Sequence, residues 1–326
     1  MSAYGAGASP PIPPPTTPAQ PRAWLTIFTA GLALWVLTVL VTLLTGNTNL
    51  VPTLVLLGSF LLPVTYVAWA FAHGGGGELT LPVVAQAFFV GGVLGVLAAS
   101  LLETYLLAPS PWMYVGVGLI EELVKLLALA YVARHLRRRS LRDGLVLGAS
   151  VGFGFAAFES AGYALNALIT VRGLDLRALV ETEILRGLLA PVGHGLWTAI
   201  AGGVLFAASG AGRWRITAGV AWTYLAVAAL HALWDSMHGI AVLLTMVLTG
   251  TSYQYRLLQL GYLPRPSPAQ VHLFTLLNWI GLVVVALVGL AWLVALRRAA
   301  ELPPPPPPVP PTGPGGPAGP GTAPIA

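Results

Sequence analysis

The chain contains no cysteine. Disulfides, thiolate metal sites and a cysteine nucleophile are thereby excluded, while redox compartment is left open. Charge is almost as scarce: Asp, Glu, Lys and Arg make up 8% of 326 residues, against about 25% in a soluble domain. Lysine occurs once, at position 125, and the other fifteen cationic residues are arginine. A net charge of +5 would suit a nucleic-acid binder, yet the arginines are scattered between apolar runs and build no basic face. Nucleic-acid binding is therefore excluded.

What fills the chain instead is apolar: 56% hydrophobic residues and a mean hydropathy of +0.80. Such a surface has to face lipid. Residues 1–21 and 301–326 are Pro/Gly-rich and are expected to be disordered or polyproline-like tails, able to engage proline-recognition modules. Residues 1–21 lack the charged-then-apolar-then-small layout of a signal peptide, so the first apolar run is expected to stay as a span. Between the tails, residues 22–300 form one transmembrane domain with eight apolar segments: roughly 23–45, 50–72, 82–107, 112–133, 143–168, 186–208, 216–238 and 271–296. Each approaches the ~20 residues that cross a ~30 Å hydrocarbon core. With no water to bond the backbone, these segments are predicted to be helices. The fold class expected is an all-α, polytopic bundle. The run 239–250 is too short for another span and reads as an extension of the seventh helix or a re-entrant piece.

Charge bias gives the orientation. Placing the five-arginine loop 134–142 in the cytoplasm puts ten arginines inside and five outside, with both termini cytoplasmic.

The polar residues within the spans are few and grouped. Glu121, Glu122 and Lys125 lie mid-span in GVGLIEELVKLLALA, where an ionisable side chain costs about 2.5–3.5 kcal/mol on insertion scales. Glu121 and Lys125 are four residues apart, on one helix face, while Glu122 is turned about 100° away. An ion pair locking two helices would explain two of these charges but leaves the second carboxylate over. Further along stand Glu159 in FGFAAFES, His194 in PVGHGLWTAI, and His231 and Asp235 in HALWD. Singly, each has a structural explanation as a packing hydrogen bond or an interfacial acid. Taken together, four helices of alternating direction carry their polar groups to a similar depth, where packing would form one hydrated pocket. Glycines 116, 118, 152, 154, 193 and 195 would let those helices approach closely.

Carboxylates and histidines in a wet cavity suit amide hydrolysis by either of two routes. A glutamate could act as general base, with a histidine or protonated acid stabilising the oxyanion. Alternatively, histidines and carboxylates could hold Zn²⁺, which activates bound water. The residues leave both routes open. A serine-type rhomboid signature, an HExxH helix and a paired-aspartate GxGD signature are all missing.

EELVK, FAAFE and HALWD follow one another as EExxK, FxxxE and HxxxD on successive spans, with PVGHGLWT between the second and third. This set resembles the PrsW family of membrane proteases, relatives of the CAAX-processing and Abi-type enzymes, over roughly residues 85–300. Lys125 and Glu159 favour PrsW, since the Abi-type pattern has EExxxR and FxxxH there. The resemblance implies proteolysis of membrane-anchored proteins, such as anti-sigma factors, at the outer side of a bacterial cytoplasmic membrane. It carries over Glu121, Glu122, Lys125, Glu159, His194, His231 and Asp235 as site residues. Roles expected for them are Glu121 or Glu122 as base, Lys125 as their counter-charge, and Asp235 as the group orienting His231. His194 and His231 are expected to bind metal or the oxyanion, and a zinc set would comprise His194, His231 and Glu159. Competing readings are a proton-coupled transporter, for which no internal repeat is visible, and a non-catalytic scaffold. Glu103 reads as interfacial, and His73, His135, His238 and His272 as surface residues at span ends. Residues 172–187, RGLDLRALVETEILRG, read as an amphipathic segment lying along the outer interface.

Overall fold

A computed structural model describes residues 22–74, 78–171 and 173–301; the two proline-rich tails lie outside the described residues. The helices are α1 (Ala23–Thr45), α2 (Val51–Gly74), α3 (Leu81–Leu106), α4 (Met113–Val132), α5 (Leu141–Leu168), α6 (Leu176–Leu189), α7 (His194–Ser209), α8 (Ala218–Thr249), α9 (Ser252–Gln259) and α10 (Pro268–Glu301). Two-residue strands Ile169–Thr170 and Gly173–Leu174 make a small hairpin between α5 and α6. The all-α membrane bundle expected from composition is what forms.

Among the described residues, seven helices are long and apolar enough to cross a membrane, with α6 and α7 counted as one span, Leu176–Ser209. The eighth expected span is α4. It has 20 residues, but its three charges set it apart by composition from the other seven. Residues 239–249 continue α8 without interruption, so the alternative of a re-entrant piece is dropped. His238 is consequently mid-helix rather than at a span end, though it is exposed, as are His73, His135 and His272.

Local chemistry starts the helices. Ser140 and Asp143 form a reciprocal capping box on α5, Asp175 caps α6, and Thr217 caps α8. Segment 172–187 departs from the interfacial reading. Leu179 and Glu183, one helical turn apart, both face inward at 0% and 3% exposure, and α6 packs between α2 and α5. The Glu183 carboxylate accepts a 2.8 Å hydrogen bond from Trp35 Nε1 of α1. The loop after α4 is also partly structural: Arg139 is buried, donates to the Gly212 carbonyl at 2.7 Å and stacks on Trp214 at 4.0 Å.

α5 is the axis of the bundle, and its tightest partner is α7. Gly144, Gly148 and Gly152 recur every fourth residue on one face of α5. A Cβ on each would run into a carbonyl oxygen of α7, from Gly202, Thr198 and His194 respectively. Small residues at this spacing allow backbone to lie on backbone where lipid gives no hydrophobic drive to associate. Gly154 meets the Phe88 carbonyl of α3 in the same way, and Gly118 of α4 meets that of Ala228 on α8. The backbone carrying His194 is thus fixed against the helix carrying Glu159.

Candidate active site

Glu121, Glu122 and Lys125 come from α4, Glu159 from α5, His194 from the first residue of α7, and His231 with Asp235 from α8. The structure brings all seven into one connected cluster. Lys125 is the hub. Its ammonium, at 0% exposure, donates to Glu121 Oε2 at 3.0 Å, Glu122 Oε1 at 2.8 Å and His194 Nδ1 at 2.8 Å. Its three protons therefore have three acceptors. The ammonium also sits 4.1 Å from the centre of the Phe155 ring, the Phe of FAAFE. Helical spacing suggests that one lysine would reach only Glu121. Its four-carbon arm bends to meet both adjacent carboxylates, at i−4 and i−3.

Each histidine is held from outside by a carboxylate. His231 Nδ1 lies 3.0 Å from Glu122 Oε1, and His194 Nε2 lies 3.1 Å from Glu159 Oε2. A carboxylate only accepts, so these outer nitrogens carry protons; of the inner ones, His194 Nδ1 accepts from Lys125, while His231 Nε2 again faces carboxylates. Both inner nitrogens turn toward Glu121. His194 Nδ1 is 3.9 Å and His231 Nε2 is 3.7 Å from Glu121 Oε2. Carboxylate, histidine and central ligand in this order is the arrangement that orients metal-binding imidazoles.

Glu121, His194 and His231 offer ligand atoms within 4.8 Å of one another. Two nitrogens and one oxygen are the donor types of a three-ligand catalytic divalent metal site; Lys125 Nζ is bonded to two of these atoms, Glu121 Oε2 and His194 Nδ1, so an ion would take the place of those bonds. His231 Nε2 faces Glu121 Oε2 and, at 3.3 Å, Asp235 Oδ2, so it either carries a proton or meets a cation there. Glu121, Glu122, Glu159 and Asp235 also outnumber the fixed cations Lys125 and Arg186. The set differs from that expected from sequence, which had Glu159 where this cluster has Glu121; the Glu159 carboxylate is engaged by Arg186 Nη2 at 2.5 Å and by the outer nitrogen of His194. Asp235 likewise shares the inner side of His231, and the group fixing that ring from outside is Glu122.

The cluster opens on a cavity of about 610 Å³, whose wall includes Glu121, Glu159, His194 and Asp235 but not Glu122, Lys125 or His231. Two cavity residues escape the sequence reading. Glu103 lines the cavity rather than an interface, and Arg186, counted there among the outer charges, lines it too. Both stand near helix ends, where a charge is ordinarily interfacial. The only sequence hint for Arg186 is its place eight residues before His194.

A polytopic helical bundle with a carboxylate–histidine centre on an internal cavity is an arrangement that suits a membrane-embedded hydrolase. Residues 62–260 match the family model of PrsW family intramembrane metalloproteases, and the chain belongs to this family. It is therefore a peptide-bond hydrolase of the membrane, acting on membrane-anchored proteins in a lipid environment, and the transporter and scaffold readings give way. The match starts within α2 and ends after α9, so it reaches further toward the N-terminus, and less far toward the C-terminus, than the motifs suggest. No curated protein and no solved structure matches the chain.

Proposed function

We propose that this protein cleaves membrane-anchored regulatory proteins of the anti-sigma type at a centre built on Glu121, His194 and His231, near the outer face of a bacterial cytoplasmic membrane. Residues 22–300 form the catalytic domain, both termini are cytoplasmic, and the tails serve as docking segments for proline-recognition modules. The observation that carries the catalytic reading is the convergence of two carboxylate–histidine pairs, Glu122–His231 and Glu159–His194, on Glu121 at the cavity wall.

Glu121 Oε2, His194 Nδ1 and His231 Nε2 would hold the metal, with Zn²⁺ the ion that best suits two imidazoles and a carboxylate. Such an ion lowers the pKa of bound water and polarises the scissile carbonyl. The remaining residues divide the work. Of the two adjacent glutamates, Glu121 meets water and substrate, because it lines the cavity and Glu122 does not. Glu122 keeps a proton on His231 Nδ1, and Glu159 keeps one on His194 Nε2. Lys125 fixes the Glu121 and Glu122 carboxylates through direct bonds to both. Asp235 Oδ2, on the cavity wall, accepts the proton given up by the attacking water and passes it to the leaving amine. The full chain in proteoliposomes tests this, with a single-span anti-sigma substrate and the E121Q variant alongside. Cleavage by wild type and none by E121Q is expected; equal cleavage by both would overturn the reading.

A further inference from the structure

We propose that Arg186, which belongs to none of the sequence motifs, is a positioning residue of the centre that acts on His194 through Glu159. The proposal rests on the catalytic reading above and adds a residue to it. Arg186 is anchored at three points on one face of α5. Its Nη2 bonds Glu159 Oε2 at 2.5 Å, its Nε bonds Ser160 Oγ at 2.8 Å, and its guanidinium carbon lies 4.1 Å from the Tyr163 ring centre. The Glu159 oxygen that Arg186 holds is also the one facing His194 Nε2 at 3.1 Å. One atom thus takes two donors, and the imidazole plane is set by where that atom is held.

The chain between the two donors is shaped for this convergence. In an unbroken helix, residues 186 and 194 would stand about 12 Å apart along the axis. Instead α6 ends at Leu189, a tight turn covers Ala190–Val192, and Gly193, the residue before α7, takes a non-helical conformation. This break, with the long arginine arm, lets both side chains meet one carboxylate. Remove the guanidinium and Glu159, with a side chain 21% exposed, is free to turn toward water in the cavity. The His194 ring then loses its outer restraint, and its inner nitrogen no longer stays aimed at Glu121. Lysine would replace the charge but not the fork, because a single ammonium lacks the fixed geometry that serves Glu159 and Ser160 together.

The test compares wild type, R186M and R186K as full-length protein, scoring cleavage kinetics, zinc retained after purification, and the visible spectrum of the cobalt-substituted forms. R186M is expected to lose about 10–100-fold in kcat, the range seen for lost outer partners of metal ligands, with KM within about twofold. It should also retain less zinc and show an altered cobalt spectrum, and R186K should recover part of each. Against a loss of R186M activity through misfolding, an E159Q and E159Q/R186K pair supplies a second readout: once Glu159 is gone, changing Arg186 should add no further loss. Wild-type kcat and zinc in R186M, a KM effect alone, or additive losses in the pair would overturn the proposal while leaving the metal centre standing. A wild type that cleaves yet binds neither zinc nor cobalt would overturn the metal centre and this proposal together.

Discussion

Glu122 Oε1 stands between Lys125 Nζ at 2.8 Å and His231 Nδ1 at 3.0 Å, wholly shut off from the cavity that its neighbour Glu121 faces. Two consecutive glutamates are thereby given different work: one meets water, and the other holds a lysine and a histidine in place. E122Q should therefore cleave about 10–100-fold more slowly than wild type and melt at a lower temperature. E121Q should abolish cleavage with the smaller change in melting. Parallel cleavage and melting assays check this, and the reverse order would reassign the two residues.

K125M removes the ammonium bonded to both glutamates. Leaving a buried charge unpaired costs about 3–5 kcal/mol, so the metal-free variant should be destabilised by that order. Lys125 also bonds Glu121 Oε2 and His194 Nδ1, two of the three ligand atoms. Zinc should consequently raise the melting temperature of K125M more than that of wild type. Thermal melts with and without zinc measure the difference.

Asp235 lines the cavity, and no outer nitrogen depends on it. D235N should keep its metal yet lose about 10²–10⁴-fold in cleavage, the usual contribution of general acid–base groups. Metal content measured beside kcat separates this role from ligation.

The glycine face of α5 gives a test of packing. A methyl group at Gly152 would press on the His194 carbonyl, whereas nothing lies within 4 Å of one at Gly162. G152A should lose about 1–3 kcal/mol of stability, as overpacked sites do, and most of its activity. G162A should match wild type in both. Melting and cleavage of the two alanine variants decide it.

The motif residues were legible because mid-span charge is costly and so conspicuous. Lys125 with two glutamates, and isolated histidines and acids on three other helices, stand out against Leu and Val. Arg186 and Glu103 were not, because a charge near a helix end is ordinarily interfacial. Arg186 follows the buried Leu179 and Glu183 on one face of α6, and the break at Ala190–Val192 brings it and His194 to one carboxylate. The grouping of Glu121, rather than Glu159, with the inner nitrogens of both histidines was also beyond the sequence, since both are acids within spans. Glycines 118, 152 and 154 were anticipated as close contacts, but Gly144 and Gly148, which extend the same face of α5, were not. Nothing in residues 172–187 taken alone tells a packed helix from one lying on the membrane surface.

The most direct measurement is the metal content of the purified full-length chain, by mass spectrometry, for wild type, E121Q, H194A and H231A, with cleavage scored on the same samples. About one zinc per wild-type chain is expected, with metal and cleavage lost together in all three variants. A wild type that cleaves without bound metal, or variants that keep both, would contradict a centre built on Glu121, His194 and His231.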